Sequence, residues 1–142
     1  MKKIYFLLMT VLLVCQSATA EILVIVNHSN SVQEMTKSEV TGIFMGRYQS
    51  FKNGVFALPV DQDADGRNRA SFYDYLTGRQ ISFINAYWAR VLFTGRATPP
   101  RQVGDNDAVI HIVKQNLNAI GYVDSSVDPK NLAGTKVVLR LD

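Results

Sequence analysis

Residues Ile22 to Val26 form an unbroken run of five aliphatic side chains. Successive side chains of a strand point to opposite faces, so a strand of this composition must be covered on both sides. A sheet with one wet face is thereby disfavoured, and helices are required above and below. The rest of the chain supplies them. Val40, Ile43 and Phe44 have helical spacing, with Thr36 or Ser38 available as a cap and Gly46 as a stop. Asn53-Gly54 marks a turn, and Val55 to Val60 reads as a second strand despite Pro59 near its end. Beyond the polar stretch Asp61 to Gly66, the residues Phe72, Tyr73 and Leu76 line one face of a helix that Gly78 ends.

The next helix has the clearest pattern. Phe83, Ile84, Tyr87, Trp88, Val91 and Leu92 fall at i, i+1, i+4, i+5, i+8 and i+9, which predicts a packed face, and Gly95 closes it. Thr98-Pro99-Pro100-Arg101 reads as a stiff extended loop. Asp105 or Asn106 can cap a helix with the inner face Val109, Ile112 and Val113, reaching Leu117. Ala119 to Val123 and Lys136 to Leu141 read as closing strands. Alternating strands and helices predict an α/β domain with a mostly parallel sheet covered by helices.

The first twenty residues have a different character. Lys2 and Lys3 precede the 11-residue apolar run Ile4 to Val14, and Ala18-Thr19-Ala20 follows. A basic start, a short apolar centre and small residues at minus three and minus one predict a secretory signal peptide, residues 1–20. A retained anchor is the alternative, but the run falls short of the roughly 20 residues that span a bilayer. Cys15 follows Val14, where a lipoprotein signal carries a small residue. Cleavage after Ala20 removes the single cysteine, so no thiol, disulfide or cysteine metal site is expected in residues 21–142. Those residues are expected to form one domain, exported to the periplasm and not inserted in the membrane after processing. Their charge is +1, from 13 basic and 12 acidic residues. At the level of net charge there is no footprint for nucleic acid or for anionic membranes.

Three segments carry candidate chemistry. Asp61-Gln62-Asp63-Ala64-Asp65-Gly66 matches the opening of a calcium-binding loop. The match then fails, because Arg69 and Phe72 stand where a ligand and a bidentate Glu belong. A solvated acidic turn before the helix is the favoured reading. The second segment is Gly66-Arg67-Asn68-Arg69 at that helix start. Unpaired amides there attract anions, glycine permits close approach, and Arg67 and Arg69 add donors suited to an oxyanion. The competing reading is that the two arginines neutralise the aspartates just upstream. The third is the loop Gly95 to Arg101, with Arg96 and Arg101, which is either a docking surface or a plain connection. Catalysis finds little support. His28 and His111 are isolated, and neither a paired-histidine motif nor a nucleophile elbow is present. His111 reads as a partly buried structural residue, and Tyr87-Trp88 as core packing.

Several of these segments together resemble a known family. Ser38-Glu39-Val40 with Ile43-Phe44-Met45-Gly46, Asn53-Gly54, Arg69 with Phe72, Tyr87-Trp88, Phe93-Thr94-Gly95, Pro99-Pro100 and Ala119-Ile120-Gly121-Tyr122-Val123 occur in family order. The chain resembles the phosphate-binding protein of bacterial phosphate ABC transporters, within the type 2 periplasmic binding-protein superfamily. The resemblance implies an α/β fold equal to one lobe of that two-lobed architecture. It also implies a non-enzymatic solute-binding module with phosphate or a similar oxyanion as ligand, a transporter or envelope protein as partner, and no cofactor. Aligned on Arg69 and Phe72, the family's Ser-Gly-Thr phosphate grip falls on Gly66-Arg67-Asn68, so both hydroxyls are replaced. A single open lobe leaves a bound anion facing water, where each hydrogen bond contributes little net. Weak or undetectable phosphate binding by a monomer is the resulting expectation. An envelope interaction or assembly component that reuses the lobe as a scaffold is the alternative.

Overall fold

The aliphatic run becomes β1 (Ile22–Asn27), and its side chains alternate between two separate cores. Ile22, Val24 and Val26 enter one, and Leu23 and Ile25 the other. The computed structural model describes residues 20–142; residues 1–19, which carry most of the expected signal peptide and Cys15, lie outside the described residues. In chain order the remaining elements are α1 (Lys37–Phe44), β2 (Leu58–Gln62), α2 (Arg67–Thr77), α3 (Ile81–Phe93), β3 (Arg101–Val103), α4 (Asn106–Gln115), β4 (Ala119–Asp124) and β5 (Thr135–Leu141).

The five strands form one sheet in the order β3-β2-β4-β1-β5. β2 pairs in parallel with β3 and β4, while β1 runs antiparallel to β4 and β5. Four strands therefore point one way and β1 alone opposes them, which makes the sheet mixed with a common direction. α1 and α2 cover one face through Val40, Ile43, Phe44, Phe72, Tyr73 and Leu76. α4 covers the other through Val109, Ile110 and Val113. The expectation of helices on both sides holds.

Local signals worked where the cause is local. Thr36 is the cap of α1, and its side chain and Glu39 form a reciprocal capping box. Gly78 ends α2 in the left-handed region, at φ 68°. Other boundaries moved. β2 starts three residues later than Val55 and takes in Asp61 and Gln62, which are buried strand residues and not a solvated turn. The extended loop ends in β3, a three-residue edge strand. Leu117 lies beyond α4 and is exposed, and so is His111. The largest departure is α3. Of its apolar pattern only Ile84 and Trp88 are buried, while Phe83 and Leu92 are exposed. Trp88 does pack in the core, and Tyr87 donates a hydrogen bond to the Met45 carbonyl at 2.6 Å. The helix period was right, but among the other elements α3 packs chiefly on α2, so one side has no partner among the described residues.

Candidate functional site

The C-terminal ends of the parallel strands β2 and β4 meet the N-terminal ends of α2 and α4. In open α/β sheets this is where a crevice forms, because the chain leaves neighbouring strands toward opposite faces. An aromatic pile sets α2 in place: Phe72 stacks on Tyr122 of β4 at 3.7 Å between ring centroids, and Phe44 of α1 meets Phe72 edge-on at 4.8 Å.

Asp61, near the end of β2, is the buried anchor of this region. Its carboxylate accepts hydrogen bonds from the Tyr73 hydroxyl at 2.7 Å, the Gln62 amide at 2.9 Å, the Tyr122 hydroxyl and Arg69 Nε at 3.3 Å. Burial, reinforced by the Asp61 charge, pushes both phenols well above their ordinary range, so they serve as fixed donors. Arg69 is only 3% exposed. Besides Asp61 it reaches Asn85 of α3 at 2.8 Å, and its guanidinium lies 5.2 Å from the Tyr73 ring centre. A buried charge without a partner is expensive, and this pairing accounts for both groups being inside.

A second polar knot lies beside the first. Asn68 Nδ2 donates to Asp124 at 2.8 Å, to Asn106 at 3.1 Å and to Gln62 at 3.2 Å. Asn106, the first residue of α4, also donates to Asp124, at 3.0 Å. The Ser126 amide and hydroxyl complete the carboxylate's shell. Partial burial pushes the Asp124 carboxyl up, but these donors together outweigh it and hold the pKa at about 2.

The four residues singled out in the sequence are thus placed differently. Gly66 is the N-cap of α2 in extended conformation, and no side chain caps that helix. Arg67 is exposed and makes no ion pair among the described residues. Asn68 and Arg69 point into the polar knots and already serve Asp124 and Asp61. The neutralising reading therefore describes Arg69. The aspartates do not converge on a cation position: Asp61 faces the interior, while Asp63 accepts from the Asp65 amide at 3.4 Å and shapes the turn. Among the described residues no group of three His, Cys, Asp or Glu side chains is arranged to hold a metal. Asp124 escaped the sequence reading, and Gln62 and Asn106 entered it only as part of the acidic stretch and as a candidate helix cap, a role that Asp105 takes. Their one legible sign was polarity at the end of a strand or the start of a helix.

No protein-family model and no curated protein matches the chain. Solved structures do. The chain is similar to an ABC-type phosphate transport receptor from Vibrio cholerae, with 19% identity and a TM-score of 0.63, over 84% of this chain and 45% of that one. PstS from Borrelia burgdorferi gives 17% identity and a TM-score of 0.63, over 84% and 46%. The likeness shows the fold: an open α/β sheet flanked by helices, matching one lobe of the periplasmic binding-protein architecture. The chain spans under half the length of either receptor. No helix among the described residues is long and apolar enough to cross a membrane.

Proposed function

We propose that this chain is a non-enzymatic periplasmic solute-binding module that holds phosphate or a similar oxyanion weakly at the start of α2. The observation that carries the reading is the uncapped helix start at Gly66 with Arg67 beside it, exposed and without an ion pair among the described residues. The first amides of a helix have no partner within it, and together with an arginine they offer an oxyanion several donors. Asn68 and Arg69 flank the position, but Asp124 and Asp61 compete for their donors. Among the described residues no second lobe covers the helix start, so an anion there stays hydrated. Both facts make the binding weak. Heating the protein with phosphate, sulfate or calcium provides the test. Stabilisation by phosphate that Arg67→Ala removes is expected, whereas no shift with either anion sinks the reading. Micromolar affinity in a proven monomer would contradict its weakness.

An envelope interaction or assembly role is favoured by a separate observation. Arg96 and Arg101 flank the Pro99-Pro100 segment, and both are exposed and free of ion pairs among the described residues. A partner from envelope extract whose capture is lost on Arg96→Ala with Arg101→Ala, with no anion-dependent shift, would favour that role.

A further inference from the structure

The net charge of +1 over residues 21–142 conceals a sharp asymmetry. Residues 75–104 hold four arginines, Arg79, Arg90, Arg96 and Arg101, and no acidic residue at all. The remainder of residues 21–142 has nine basic against twelve acidic residues. All four arginines are exposed, and none makes an ion pair among the described residues. The same segment contains α3, in which ten of thirteen residues are apolar but only Ile84 and Trp88 are buried. Phe83, Ala86, Arg90 and Phe93 fall at i, i+3, i+7 and i+10, on one helix face, and every one of them is exposed. Phe93 is 93% exposed, so its ring stands clear of the other described residues. Arg79 lies over the Phe83 ring, 4.5 Å from its centre, at the other end of the helix.

We infer that the outer face of α3 is a peripheral docking surface for an anionic lipid bilayer. The charge decides the sign of the partner: Arg90 on that face and Arg79 over the Phe83 ring, followed by Arg96 and Arg101 in a segment that holds no acidic residue, attract an anionic surface. The shape decides its kind. A phenylalanine that projects from a convex helix needs a partner that opens around it, as the headgroup layer of a bilayer does, while a folded protein would need a matching pocket. Aromatic rings and arginines are the side chains that settle at that depth, ring toward the acyl chains and guanidinium among the phosphates. The helix lies flat on the surface, so the chain associates with the bilayer without spanning it. This surface is separate in its residues from the α2 start, and neither proposal depends on the other.

Flotation with vesicles tests the inference, using the full chain with the same N-terminus in every variant. Retention is expected on vesicles of phosphatidylglycerol and phosphatidylcholine in equal parts, and little on phosphatidylcholine alone. It is expected to fall steeply between about 0.05 M and about 0.5 M salt. Phe93→Ser, and separately Arg90→Glu with Arg96→Glu, are expected to lower retention about tenfold or more with an unchanged melting temperature. Should the charge-reversed variant misfold, Phe93→Ser still decides, because that side chain touches almost nothing. Equal retention on both kinds of vesicle, or variants within about twofold of the parent, overturns the inference. So does capture on immobilised polyglutamate without vesicle retention, which would assign the face to an acidic protein.

Discussion

The Asp61 carboxylate gathers two phenols, one amide and the Arg69 guanidinium inside the protein. Removing it leaves an arginine buried without a counter-charge, so Asp61→Ala is expected to cost about 3–5 kcal/mol in urea unfolding. Asp124 gives a pH signature instead. Its folded pKa of about 2 lies below the ordinary carboxylate value, so its contribution is complete above about pH 4 and fades as pH falls toward 2. Since the group is only partly buried, that contribution is on the order of 1 kcal/mol. The stability gap between the parent and Asp124→Asn should therefore close across that acid range. Neither role was legible in the sequence. Asp61 sat in a stretch that read as a solvated turn, and its partner Tyr122 is 61 positions away. No local pattern reports a pairing of that range.

Elements were legible to the extent that their causes were local. The Thr36 cap, the Gly78 stop and the period of α4 depend on neighbours a few positions away, and each is found. Thr36→Ala is expected to lower stability by about 1 kcal/mol, read from the shift in urea midpoint. Gly121 shows an inter-element cause. It faces α4, and a β-carbon there would stand 2.5 Å from a Val109 methyl. Gly121→Ala should cost about 1–3 kcal/mol through overpacking, and adding Val109→Ala should recover part of it in a double-mutant cycle. The ends of β2 and the existence of β3 depend on pairing between distant segments, and there the spacing misled. α3 failed differently. Its pattern announced a helix correctly, but a pattern cannot say how much of an apolar face has something to pack against.

At the scale of the whole molecule, the uncapped start of α2 and the outer face of α3 carry the two functional proposals. Arg67 is exposed and unpaired, so Arg67→Ala should change stability by less than about 0.5 kcal/mol while abolishing any stabilisation by phosphate. Calorimetry on the two proteins with and without phosphate separates a ligand effect from a folding effect. The amino-acid order alone determined that helices must sandwich a sheet, because five aliphatic residues in a row cannot tolerate water on either side. It also determined where most helices begin and stop, and that Gly66 opens one of them. Tertiary structure decided that β1 runs against its four companions, that Asn68 and Arg69 serve internal carboxylates, and that one side of α3 stays bare among the described residues. The reason is physical: a side chain's period and capping act over a few residues, whereas the partner of a buried charge, or the absence of one for an apolar face, exists only once remote segments have come together.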